Sequence, residues 1–156
     1  MIPLAKRPTN AAVAVLRQAN ALAPKRSKAS DGLLPSAAHV KQNPNSDHNS
    51  GFAVDLTHDP KNGVDCRVIY SELQKDKRVK YLIFKGRIWS AGRGENTYTG
   101  PNKHEKHLHI SIKEECGDDV SDWFPWVGGP KKWNAVKAKF IKAQRKKKDL
   151  PSPKED

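Results

Sequence analysis

The stretch HLHISIKEE, residues 107–115, alternates strictly between apolar and polar side chains. On an extended chain Leu108, Ile110 and Ile112 fall on one face and His107, His109 and Ser111 on the other. This two-residue period predicts a strand with one face in a core and two histidines projecting together from the opposite face. A third histidine, His104, lies just upstream in HEKHLH, so three of the six histidines of the chain fall within six residues.

Working outward, SDHNSGFAVDLTH, residues 46–58, carries His48, a tight Gly51 and an apolar run that contains Asp55 between Val54 and Leu56. The run reads as a buried strand, where a carboxylate needs a partner or a metal. YLIFKGRIWS, residues 81–90, reads as a hairpin whose two β-prone runs meet at Lys85-Gly86. A helix is expected over residues 10–23, with Val13, Leu16 and Ala19 or Asn20 on one face and Thr9 as N-cap. A second follows a turn at residues 60–63, with Val68, Ile69 and Leu73 on one side. Residues 24–45, rich in Pro, Ser, Gly and Asn, read as a loop with little regular structure, of a length that usually marks a binding lip, and residues 91–106 as a polar loop. These elements give an α+β class: a small antiparallel sheet with flanking helices.

At 156 residues the chain is most economically one domain with an appendage. Gly128-Gly129-Pro130 marks a break between residues 1–127 and a basic amphipathic helix with a disordered end over residues 128–156, where Trp133, Val136, Phe140 and Ile141 recur at helical spacing. From residue 130 onward ten Lys and Arg face three acids, so this tail supplies +7 of the formal +12. The tail is either a solvated helix packed on the domain or an anchor to an anionic wall or membrane surface. Such charge suits a polyanionic partner, whether nucleic acid, anionic lipid or cell wall. No helix-turn-helix, zinc finger or aromatic RNA-binding motif is visible, so no specific nucleic acid is expected, and a basic nucleic-acid-binding protein is the weaker alternative.

Cys66 and Cys116 form no C-x-x-C pair, which excludes a cysteine zinc site; two free thiols are expected, with a disulfide as the alternative. No segment reaches the ~18 apolar residues of a membrane span. Arg17, Gln18 and Asn20 interrupt the Ala/Val-rich N-terminal run too early for a signal peptide.

Neutral imidazoles and a carboxylate are the donors that Zn2+ takes in catalytic sites. Taken alone, His48 reads as a turn histidine, Asp55 as a cap or salt-bridge partner, and a strand His-x-His as outward polar residues. Both motifs together, in this order and with glycine beside the first, point to a metal site.

SDHNSGFAVD resembles the Ser-x-His-x-x-Gly-x-Ala-x-Asp signature of the D-alanyl-D-alanine metallopeptidases. His-Leu-His is similar to the His-x-His of the broader group that contains lysostaphin-type peptidases, those carboxypeptidases and the hedgehog signalling domain. RSKASDGLLPSAAH followed by SDHN also resembles the start of peptidase domains in phage lysins and actinobacterial proteins. The resemblance spans residues 10–126, and the two motifs carry its specificity. It implies a hedgehog/DD-peptidase-like fold, zinc held by His48, Asp55 and His109, and hydrolysis of an amide in bacterial peptidoglycan. It further implies that His107 assists the oxyanion or proton transfer, that Ser46 contacts substrate, and that His104 matches the extra histidine of the penicillin-insensitive murein endopeptidases. The carboxypeptidase branch has a catalytic Glu or Asp where this chain has Lys106, so the base falls to His104 acting with His107, with Glu105 as the alternative. The implied setting is a monomeric phage endolysin, made in the host cytoplasm without a signal peptide or transmembrane segment and released to the wall at lysis; action during entry and a catalytically inactive zinc-containing wall-binding module are the alternatives.

Overall fold

The computed structural model describes residues 7–127. The basic helix and tail expected over residues 128–156 lie outside the described residues. In chain order the elements are α1 (Asn10–Leu22), α2 (Ala37–Gln42), β1 (Ala53–Thr57), α3 (Cys66–Leu73), β2 (Val79–Phe84), β3 (Arg87–Ser90), β4 (Gly94–Thr97) and β5 (His107–Ile112). The strands form one sheet in the order β1-β5-β2-β3-β4, every neighbouring pair antiparallel. The class is α+β, and among the described residues no helix is long and apolar enough to cross a membrane.

β5 lies inside the sheet between β1 and β2, and its alternation sorts the whole molecule. Leu108, Ile110 and Ile112 join Val54, Leu56 and Leu82 in the core, against which α1 packs on β1 and α3 on β2 and β5. The opposite face carries His107, His109 and Ser111. Across from them β1 sets Thr57, Asp55 and Ala53, and β2 sets Ile83 opposite His109 and Tyr81 opposite Ser111. The β2–β3 turn has both central residues at positive φ, Lys85 at 47° and Gly86 at 77°, the backbone that matches the twist of a two-residue hairpin.

The helices depart from expectation in which faces they bury. Thr9 caps α1, its Oγ1 accepting from the Ala12 N–H at 3.3 Å, but the helix is enclosed nearly all round, Arg17, Gln18 and Asn20 included. Its alanines leave room for the chain after β5 to lie across it. The Ala11 N–H donates to the Gly117 carbonyl at 2.8 Å, and Gln18 accepts from the Trp123 N–H at 2.7 Å. Arg78 fastens this crossing segment by stacking 3.7 Å from the Trp123 ring centroid and donating to the Ser121 and Asp122 carbonyls. On α3 the buried stripe is Cys66, Ile69, Tyr70 and Leu73, while Val68 is 48% exposed. A stripe at i, i+3, i+4 and i+7 excludes position 68 once it starts at 66.

Two elements arise where loop was expected. Ser36 accepts from the His39 N–H at 3.1 Å and starts α2, a side-chain cap that compensates a short helix. GENT forms β4 on backbone pairing to β3 despite poor strand propensity, as an exposed edge strand can. Both cysteines are free; burial pushes the Cys66 thiol up to about 12, which keeps it protonated.

Gly51 closes the 3-10 turn Asp47–Ser50 at φ 80°, and a Cβ there would meet the Arg7 carbonyl oxygen at 3.0 Å. Gly51→Ala is expected to lower the unfolding free energy by about 1–3 kcal/mol in chemical denaturation; an unchanged midpoint would refute this packing. His58 starts α3 by accepting from the Cys66 N–H through Nδ1 at 3.0 Å, and burial together with the Lys85 ammonium holds its pKa below the ordinary histidine value. Protonation of Nδ1 would break the bond. The stability His58 contributes is therefore present above pH about 6.5 and lost as pH falls through its depressed pKa. The melting-temperature gap between wild type and His58→Gln is expected to be widest above pH about 7 and to narrow on acidification.

Candidate metal centre

Asp55 sits on the middle of β1, directly opposite His109, with its carboxylate buried. Its Oδ1 lies 3.1 Å from His48 Nε2 and 3.3 Å from His109 Nδ1, and its Oδ2 lies 3.6 Å from His107 Nε2. One donor atom from each of His48, Asp55 and His109 lies within 4.8 Å of the other two, a cluster that can hold a metal ion.

Each ligand reaches this point for a local reason. The 3-10 turn Asp47–Ser50, capped by Ser46 Oγ accepting from the His48 N–H at 3.3 Å, aims His48 back over β1. The long loop then takes part: Gly32 pairs with Asp55 through both backbone hydrogen bonds, and the Leu33 carbonyl accepts from His48 Nδ1–H at 2.7 Å. With Nδ1 held by Leu33, His48 presents Nε2 to the Asp55 carboxylate. The loop is held in turn by Asp31, which is fully buried, pairs with Arg26 at 2.6 Å and accepts from the Thr57 backbone N–H and hydroxyl.

Burial pushes the Asp55 carboxyl up, but the surrounding imidazoles of His48, His109 and His107 outweigh it and hold the group well below the usual carboxylate range. Burial drives His109 the other way, below the ordinary histidine value, although Asp55 opposes the shift. A buried carboxylate with three imidazole nitrogens turned to it is a donor set that a cation can bind. The donors are two nitrogens and one oxygen, the composition of open, hydrolytic divalent-metal sites. His107 Nε2 is buried and has no hydrogen-bond partner, which leaves it available to a group entering the site.

The cluster forms the floor of a cleft of about 650 Å3. Ser46, His104 and His107 line it with the three ligands, so these six of the seven residues singled out in the sequence meet there; Glu105 is exposed and points no group into it. His104 returns to the cleft because its backbone is left-handed, φ 57°. Two hydrogen bonds to Asn102 stabilise that turn: the His104 N–H donates to Asn102 Oδ1 at 3.0 Å, and Nδ1–H donates to the Asn102 carbonyl at 2.7 Å. The ring centroid lies 5.0 Å from that of His107 and 5.7 Å from that of His109. Burial and the neighbouring His109 imidazole push its pKa down to about 4, so it is neutral at pH 7 with Nε2 unprotonated.

Sequence reasoning missed His39, which α2 brings into the cleft edge-on to His48 at 6.0 Å between centroids. It was hidden because the cap at Ser36 was the sole sign of a helix there. Tyr98 lines the cleft, whereas Trp89 packs against the core and Arg87 pairs with Glu95 at 2.8 Å.

A divalent metal is expected to raise the melting temperature of the wild-type protein, by the equivalent of about 2.7 kcal/mol at a hundredfold excess over Kd. His48→Ala, Asp55→Asn and His109→Ala should each abolish that increment, and a rise that persists in all three would place the metal elsewhere. No protein-family model, curated protein or solved structure matches this chain.

Proposed function

We propose that the protein is a zinc-dependent metallopeptidase that hydrolyses an amide bond in the peptide stem or cross-link of bacterial peptidoglycan, on a hedgehog/DD-peptidase-like fold and in the manner of a phage endolysin. The observation that carries this reading is the convergence of His48, Asp55 and His109 on one point of an open cleft, with His104 and His107 beside them.

His48, Asp55 and His109 would hold zinc, which would supply a Lewis acid for the scissile carbonyl and lower the pKa of water. The chain supplies the rest. His104 is neutral, its Nδ1–H is committed to Asn102, and its Nε2 is the atom that takes the proton of the attacking water and passes it to the leaving amine. His107 Nε2, buried and without a hydrogen-bond partner, donates to the carbonyl oxygen as negative charge develops on it. Ser46 keeps the His48 turn in shape. The walls carry Gln42, Asn43, Asn45 and Asn102, neutral amide side chains that suit the repeated donors and acceptors of a peptide. The formal +12 of the chain favours approach to an anionic wall after synthesis in the host cytoplasm.

Zinc content and release of soluble muropeptides from purified walls test the proposal. His104→Ala is expected to retain zinc and to lose about 10²–10⁴-fold in kcat. An equal loss in Glu105→Ala with His104→Ala unimpaired would transfer the role to Glu105. A protein without zinc would overturn the reading, and zinc without release from any wall would make the chain a wall-binding module.

A further inference from the structure

We propose that Arg26, Asp31 and Thr57 are positioning residues of the metal centre: they clasp residues 26–33 to the outer edge of β1 and so hold the Leu33 carbonyl on His48 Nδ1, which leaves Nε2 as the nitrogen that meets a divalent cation. The inference rests on the reading of His48, Asp55 and His109 as metal ligands.

The clasp is built from charges that a loop does not ordinarily bury. The Arg26 and Asp31 side chains are both fully enclosed. The guanidinium holds the carboxylate with both arms, Nη1 donating to Oδ1 at 2.9 Å and Nη2 to Oδ2 at 2.6 Å, while its Nε donates to Asn20 Oδ1 on α1 at 3.0 Å. Asp31 Oδ1 also accepts from the Thr57 N–H at 3.0 Å and from the Thr57 hydroxyl at 2.7 Å. That hydroxyl in turn accepts from the Ser30 N–H at 3.0 Å. Helix, loop and strand thus meet on one carboxylate at the end of β1, two residues from Asp55.

Apolar residues of like volume often hold buried elements together as well as an ion pair does. They would leave the loop free to slide along the strand, whereas hydrogen bonds of fixed direction allow one register. In that register Gly32 exchanges both backbone hydrogen bonds with Asp55, at 3.1 and 2.9 Å. Leu33 follows, with its side chain in the core and its carbonyl oxygen 2.7 Å from His48 Nδ1. A carbonyl oxygen only accepts, so Nδ1 carries the proton in this bond and the ring meets the cluster through Nε2, 3.1 Å from Asp55 Oδ1. None of Arg26, Asp31 and Thr57 lines the cleft, so their effect on the centre passes through Leu33 and the backbone of Asp55. A partner of this kind behind a ligand fixes both the ring and its donor atom.

Zn2+ affinity, read without substrate by competition with a chromophoric chelator, is expected to fall about 10–100-fold in Asp31→Asn and about 10-fold in Thr57→Val, the size of effect that lost partners of metal ligands have. Thr57→Ser keeps the hydroxyl and is expected to stay within about twofold of wild type. Asp76→Asn breaks a second arginine–aspartate pair, with Arg78 at 2.7 Å, which fastens the segment crossing α1; it should lower the melting temperature and leave the affinity unchanged. In the metal-free protein, amide exchange at Gly32 and Asp55 should quicken in Asp31→Asn. Long-range proton–nitrogen spectra of the zinc-loaded wild type should show His48 protonated at Nδ1. A loss below about tenfold in Asp31→Asn, Thr57→Val no weaker than Thr57→Ser, unchanged exchange, an equal loss in Asp76→Asn, or zinc on His48 Nδ1 would each overturn the clasp and leave the metal centre standing. Absence of zinc binding by the wild type would overturn both. Should Asp31→Asn fail to fold, the Thr57→Val and Thr57→Ser affinities decide.

Discussion

A strand hydrogen-bonded along both edges cannot turn about its own axis, and the molecule is organised around one such strand. β5 is clamped between β1 and β2, with its leucine and isoleucines in the core and its histidines on the opposite face. Because the side-chain period is two, a slip of one residue would send His109 into the core and Leu108 into the cleft. The energy that buries Leu108, Ile110 and Ile112 is therefore also the energy that aims His107 and His109. Asp55 is tied to the same register, directly across the ladder from His109.

The two loops before β1 serve that register in different ways. The loop containing Gly32 and Leu33 pairs with the free edge of β1 at Asp55 itself, and the Arg26–Asp31 pair secures it where a solvent-exposed loop would drift. The turn at residues 47–50 delivers His48 from one side and Asp47 from the other. One carboxylate, Asp55, thus belongs to the cluster, and the other, Asp47, is buried outside the cleft lining. Lys80 partners the outer carboxylate; among the described residues no lysine or arginine forms an ion pair with Asp55.

Much of this was legible in the sequence, and the reason is periodicity. HLHISI names its own faces, FAVDL announces a buried strand with a carboxylate in it, and Lys85-Gly86 marks a hairpin. Helix edges and loop interiors were not legible, because their geometry is set by partners distant in sequence. Nothing local in α1 states that Trp123 and its neighbours will cover the polar side of the helix. Nothing in GENT states that β3 will offer it a ladder. Tyr81 carries no motif, and its ring stacks on His109 only once β2 lies beside β5. His104 was read from its spacing, but the left-handed backbone that returns it to the cleft is a property of a turn locked by Asn102 and by the Lys85 N–H on the His104 carbonyl.

That turn sets a trade-off. A histidine at φ 57° carries a conformational penalty of about 1–2 kcal/mol that glycine would not. For the fold alone glycine is the natural occupant of position 104, and on the peptidase reading proposed above the imidazole is a concession to chemistry. On that reading, selection for thermal robustness without selection for activity would erase the histidine first, since at this position the most durable chain and the most reactive one would be different sequences.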